Sequence, residues 1–156
     1  MVIFCHGKEG TPEGTKAKMI KKAFKETVVP TLTNSFCLKD FQKDLELINH
    51  EAEDAKVLIG SSRGGALVLA METERRKIVI APAWKKFGVT PKLTKNDTII
   101  HCPKDNLVPI EDSEYLMNKF GCRLIICGEN HRMSDQKTLG IIKNVIKGTL
   151  KGVMDE

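Results

Sequence analysis

Short runs of β-branched and apolar residues alternate along this chain with longer stretches whose apolar positions recur at helical spacing. Residues 2–5 read as a first strand, closed by His6-Gly7 and a loop rich in Gly and Pro. Ala17, Ile20, Ala23 and Phe24 then mark a helix over 15–25, and residues 28–30 a short strand near a sheet edge, where Pro30 is tolerated. Phe41, Leu45, Ile48, Ala52 and Ala55 step by four, three, four and three residues, which predicts an amphipathic helix with Asp40 as its N-cap. Residues 56–59 form a buried strand, and 66–71 are apolar on every side, as in a helix enclosed within a layered domain. Strands follow at 78–81, 98–102 and 123–127, with a helix at 110–120. A last helix carries Leu139, Ile142, Val145, Ile146 and Leu150 behind a Ser134 cap. This alternation predicts a three-layer α/β/α sandwich around a six-stranded, mostly parallel sheet, with one irregular link at 82–96.

Composition narrows the picture. At 156 residues the chain is expected to fold as a single domain over 1–156. Its 41% hydrophobic content excludes general disorder. The balance of 25 basic against 20 acidic residues gives a formal charge of +5, spread along the sequence in short clusters such as Lys21-Lys22 and Lys85-Lys86. No interleaved aromatics accompany those clusters, so no nucleic-acid partner is expected. Five scattered cysteines without a CxxC pair read as reduced core thiols, with no metal site and no cofactor implied. The amino terminus has no basic region or cleavage site, and no apolar run approaches the ~18 residues of a membrane span. A cytoplasmic location without a membrane partner is the expectation.

The chemistry concentrates where strand 56–59 meets the buried helix. Gly60-Ser61-Ser62-Arg63-Gly64 matches G-x-S-x-G, a turn that holds its central serine in a strained conformation and lifts the hydroxyl above the sheet edge. Ser62 is that serine. Gly60 and Gly64 allow strand and helix to approach closely, and the Arg63 amide opens a helix, where an oxyanion is favoured. The turn lacks the Gly-Lys-Ser/Thr ending of a P-loop and the G-x-G-x-x-G spacing of a dinucleotide site.

A serine is a poor nucleophile until a histidine takes its proton, and an acid must orient that histidine. Asp105 follows strand 98–102 and His131 follows strand 123–127, so both lie beyond carboxyl ends of parallel strands, as Ser62 does. His50 falls mid-helix beside charged residues, and His101 lies inside a strand, where core packing is expected. The second oxyanion donor is assigned to the loop 7–10, as the amide of Lys8 or of a neighbour.

With these residues in place the sequence resembles the α/β-hydrolase superfamily over nearly its whole length. The order Ser62, Asp105, His131 matches that of the superfamily. Phe4-Cys5-His6-Gly7, Gly14-Thr15-Lys16-Ala17, Gly60-Ser61-Ser62-Arg63-Gly64-Gly65, Ala81-Pro82-Ala83 and Glu129-Asn130-His131 are similar to small lidless bacterial esterase-like hydrolases. The resemblance implies a reduced fold that lacks the first two strands and the cap. It implies Ser62 as nucleophile, His131 as general base and acid, Asp105 as its orienter, and the Lys8 and Arg63 amides as oxyanion donors. Lys104 stands where many relatives have glycine before the acid. Arg63 replaces a more usual Met, Leu or His, which puts a cation or a long apolar stem near the site mouth. The superfamily's lid usually follows strand 78–81; here that link is short, so Trp84 and Phe87 are the aromatics expected to line an open cleft. The implied activity is a serine hydrolase cleaving small-molecule esters or thioesters of small to medium acyl groups. The alternative is a binding protein on the same fold without turnover.

Overall fold

The computed structural model describes residues 1–7 and 10–156. The chain runs β1 (Val2–Cys5), α1 (Thr15–Ala23), β2 (Thr27–Val28), α2 (Leu38–Glu51), β3 (Val57–Ser61) and α3 (Arg63–Ala70). It continues as β4 (Arg76–Ile80), a 3₁₀ turn (Lys85–Phe87), β5 (Thr98–His101), α4 (Ile110–Phe120), β6 (Arg123–Ile126) and α5 (Gln136–Met154). Among the described residues the six strands form one sheet in the order β2-β1-β3-β4-β5-β6. Every pairing is parallel, so the sheet is wholly rather than mostly so.

The period of two in the strands divides the apolar residues between two cores. Ile3, Cys5, Leu58, Val79 and Ile99 pack with Phe41 and Ile48 of α2, with α3, and with Leu116 of α4. Val2, Phe4, Val57, Ile59, Ile78, Ile80 and Ile100 pack with Ala17 and Ile20 of α1 and with Ile142 and Ile146 of α5. The sheet is therefore covered on both faces, which is why its central strands read as unbroken hydrophobic runs. All but the last residue of α3 are buried, as the apolar run from Ala66 onward predicts for that part of the helix.

Helix starts depart from the expectation. α2 begins at Leu38 after Cys37, so Asp40 lies in the first turn, where its carboxylate faces the positive end of the helix dipole. Ala52 and Ala55 fall beyond the helix in a hydrogen-bonded turn, and both remain buried, so the apolar spacing outlives the helix. α5 is capped by Asp135 rather than Ser134: the Asp135 carboxylate accepts the Thr138 amide, the N3 contact a cap requires.

Strand order reverses at β1, because β2 lies on its outer side and β3 on its inner side. In open parallel sheets a ligand crevice forms outside the carboxyl ends at such a reversal. Here those ends lead into His6-Gly7 and into Ser62. Two concavities, of about 430 and 380 Å³, lie instead beside the amino ends of β3–β6, at Lys56 and Thr73 through Arg76 and at Asp97 and Arg123. Neither adjoins Ser62.

Candidate functional site

Ser62 links β3 to α3 with φ 56° and ψ −114°. A non-glycine residue in such a region costs on the order of 1–3 kcal/mol, and surrounding structure must hold it there. Its amide donates to Ile80 O at 2.9 Å, and its carbonyl accepts the amides of Ala66 at 3.1 Å and Ala83 at 3.0 Å. The flanking glycines make this possible. A Cβ on Gly60 would lie 2.2 Å from Gly64 O, and one on Gly64 would lie 2.0 Å from Cys5 O. No side chain fits at either position.

Ser62 Oγ lies 2.9 Å from His131 Nε2, and His131 Nδ1 lies 2.7 Å from Asp105 Oδ2. The carboxylate accepts Nδ1–H, which leaves Nε2 as the acceptor for the serine hydroxyl. The loops after β3, β5 and β6 thus bring the three residues together. His131 sits on a turn in which the Arg132 amide donates to Asn130 Oδ1 and the Met133 amide to Asn130 O. Lys16 of α1 donates to Arg132 O, and burial, aided by the Arg132 cation, pushes its ammonium down to about 8.

Four donors surround Asp105. The amides of Leu107 and Val108 reach Oδ1 at 2.8 Å each, while the rings of His131 and His101 share Oδ2 at 2.7 and 3.1 Å. Burial, the largest influence, would raise this carboxyl, but the Val108 amide, the His131 ring and the Leu107 amide together hold it below its ordinary value. His101 is buried, as its place in a strand predicts. Its approach to Asp105 goes beyond what a core strand position implies, and the sequence signal for it is a histidine four residues before an acid at one strand end.

The Arg63 side chain corrects an expectation. Instead of standing at the site mouth it is 1% exposed, with Nη1 2.7 Å from Asp44 Oδ2. That contact is an ion pair, since Nη1 has no hydrogen-bond partner among the described residues. Nε donates to Ser35 O and Nη2 to Thr33 Oγ1, and the guanidinium lies 5.5 Å from the Phe41 centroid and 5.6 Å from that of Phe87. The reason is an inward-facing carboxylate on α2, which residue spacing alone does not reveal. The Arg63 amide opens α3, whose first-turn amides have no carbonyl one turn back.

Lys8 lies outside the described residues. The amide of Gly10 donates to Gly7 O at 3.0 Å, so it is committed within its own loop. Gly7 adjoins the serine: a Cβ there would be 3.3 Å from Ser62 Cβ and 4.0 Å from Oγ. His6, expected only as part of a turn, is buried and bridges Gly7 to Leu32. Its Nδ1 donates to Gly7 O at 2.8 Å and its Nε2 accepts the Leu32 amide at 3.1 Å. Phe87 turns into the core between Phe41 and Phe36, with centroids 4.9 and 6.1 Å away, instead of over the cleft. Trp84 is half-buried and stacks on Tyr115 at 5.9 Å. Among the described residues no cluster of three or more His, Cys, Asp or Glu is arranged to hold a metal ion, and no helix is long and apolar enough to cross a membrane.

The architecture recurs in solved structures. Alpha/beta hydrolase domain-containing protein 10 from mouse matches with a TM-score of 0.76 at 18% identity, over 97% of this chain and 90% of that one. Est1E from Butyrivibrio proteoclasticus matches with 0.76 at 16%, over 99% and 88%. The esterase domain of a Rhodothermus marinus protein matches with 0.66 at 17%, over 93% and 83%. At such identities the likeness shows the fold, which is the α/β-hydrolase fold in reduced form. None of the curated proteins matches the chain. Residues 1–101 match the model of the Uncharacterised protein family (UPF0227), and the chain belongs to that family.

Proposed function

We propose that the chain is a serine hydrolase that cleaves esters or thioesters of small to medium acyl groups through an acyl-enzyme. The observation that carries this reading is the hydrogen-bonded series from Ser62 Oγ through His131 to Asp105, mounted on a strained turn between strand and helix. Ser62 Oγ attacks the acyl carbon while its proton passes to His131 Nε2, and Asp105 stabilises the resulting imidazolium. The oxyanion is met by the Arg63 amide and by a second amide of the loop 7–10, Lys8 or Gly7 in preference to the committed Gly10. His131 then protonates the departing alkoxide or thiolate, which leaves Ser62 acylated. A water gives its proton to His131 as it attacks the acyl carbon, and His131 returns a proton to Ser62 as the acid departs.

Substrate size follows from the link 82–96. It carries only the 3₁₀ turn, pins its Ala83 and Lys92 amides to Ser62 O and Leu69 O, and buries Phe87 and Leu93, so it is an inner strap rather than a cap. With so short a link to roof the site, each added acyl methylene should gain less than the ~0.8 kcal/mol of full burial. The fold likeness to the esterase domain of the Rhodothermus marinus protein supports the same chemistry. The test is labelling with a fluorophosphonate, followed by a panel of p-nitrophenyl esters and acyl thioesters. Wild type should label, Ser62→Ala should not, and turnover should fall by about 10⁶-fold in that variant. Folded wild type that neither labels nor turns over any member would identify a binding protein instead.

A further inference from the structure

Asp105 stands at the centre of a series whose two arms mirror each other. One arm runs through His131 to Ser62 and opens toward solvent. The other runs through His101 to Ser113 and is sealed, since both residues are 0% exposed. We propose that His101 is a positioning residue that holds the Asp105 carboxylate in the plane required by His131, with Ser113 setting the tautomer of the His101 ring. This rests on the hydrolase reading above.

The hydrogen-bond partners determine where the His101 proton lies. Nε2 faces Asp105 Oδ2 at 3.1 Å and Val108 O at 3.0 Å, both acceptors, so Nε2 carries the hydrogen and shares it between them. Nδ1 must then accept, and Ser113 Oγ lies 2.6 Å away as its donor. A ring so held acts as a one-way donor toward the acid.

Geometry explains why a second donor on Oδ2 matters. The amides of Leu107 and Val108 fix Oδ1, but a carboxylate held at one oxygen can still pivot about that point. His131 alone cannot prevent this, because its side chain is 15% exposed and it rides on a loop beyond the edge strand β6. His101 ends β5, a strand paired on both sides, and its ring supplies a fixed second point. Burial, the largest influence, lowers the pKa of His101 against the opposing pull of Asp105. The ring therefore donates without adding a positive charge, and the charge of Asp105 stays available to the His131 imidazolium.

The experiment compares His101→Leu, His101→Gln and Ser113→Ala, using p-nitrophenyl acetate turnover and the rate of fluorophosphonate labelling. Leucine removes the donor. Glutamine can return an N–H near the Nε2 position, and alanine at 113 frees the ring while leaving only a small void. His101→Leu should lose about 10- to 100-fold in kcat and in labelling rate with KM within about twofold, a loss of the size seen when the partner that orients a metal-ligating histidine or carboxylate is removed. His101→Gln should recover most of that loss, and Ser113→Ala should lose severalfold in kcat alone. Should His101→Leu not fold, Ser113→Ala and His101→Gln decide: kcat unchanged in Ser113→Ala, or KM rather than kcat altered in either, overturns the proposal. Folded His101→Leu with kcat and labelling within about twofold of wild type also overturns it, as does a loss that glutamine does not reduce. Wild type that fails to label at Ser62 refutes the hydrolase reading itself, so the two failures are distinct.

Discussion

Removing the buried Asp44 carboxylate should destabilise the fold strongly. Asp44 and Arg63 are 4% and 1% exposed, so Asp44→Ala strands a guanidinium with no access to water. Breaking a buried pair from one side costs about 3–5 kcal/mol. Asp44 also accepts the Thr33 amide and hydroxyl, at 3.0 and 2.7 Å on Oδ2, so the same change orphans a partly buried N–H. An unmet donor of that kind costs on the order of 1–3 kcal/mol, not fully additive with the first loss. Against a total stability of roughly 5–15 kcal/mol the ion-pair loss alone is about a fifth or more, and it corresponds to a fall in Tm of about 6–20 °C for a chain of this size. Urea denaturation followed by far-UV circular dichroism measures it. The double variant Asp44→Leu/Arg63→Met removes both charges and should lose less than Asp44→Ala alone, because nothing charged is then left buried. A loss below about 1 kcal/mol in Asp44→Ala, the value of an exposed pair, would mean that water reaches Arg63 and that the inward course of its side chain is wrong.

Two further outcomes separate stability from chemistry. Asp97 is buried at the amino end of β5, where its oxygens accept the Lys77 and Thr94 amides at 2.7 Å each, so Asp97→Asn should lower stability by about 1–3 kcal/mol and leave kcat intact. Asp105→Asn should reverse that pattern and lower kcat on the order of 10⁴-fold; equal kcat losses in the two variants would undo the assignment of the orienting acid. Burial pushes the Lys77 ammonium, bonded to Met71 O and Lys92 O, down to about 8 from 10.5. The folded chain thus releases this proton before the unfolded chain does. The Lys77 contribution to stability should rise between about pH 8 and 10.5, by at most about 3.5 kcal/mol. Lys77→Met should flatten that rise in urea midpoints, and identical pH slopes in both proteins would refute it.

The sheet was legible in the sequence because each central strand is a short apolar run buried on both faces, and the chain between such runs has helical spacing. The places of Ser62, Asp105 and His131 were legible for a related reason, since each lies within five residues of a strand's carboxyl end and parallel pairing brings those ends to one edge. Partners across the fold were not legible. Arg63 reads as a surface cation until Asp44 of α2 and the rings of Phe41 and Phe87 are known to converge on it. His6 reads as a turn residue until Leu32 presents its amide. Cap positions failed for a local reason: Ser134 and Asp135 are both capping types in sequence, and only the Thr138 amide chooses between them.

The two halves of the site are held by different forces. Ser62 leaves β3, which is paired on both sides, and enters a helix with seven consecutive buried residues, so packing and close glycine contacts keep its backbone strained. His131 leaves β6, an edge strand with no residue fully buried, where packing has little purchase. Hydrogen bonds take over there: Asn130 closes the turn, Lys16 holds Arg132 O, and the fully buried Met133 anchors the loop with a φ of 52°. Asp105 lies between the two regimes, gripped by two amides of its own loop and by rings from either side. Among the described residues, the His131 side is thus fixed by directed bonds and the Ser62 side by packing. It follows that substitutions on the β6 side should disturb the alignment of the site before they disturb the stability of the fold, and that substitutions around β3 should act in the opposite order.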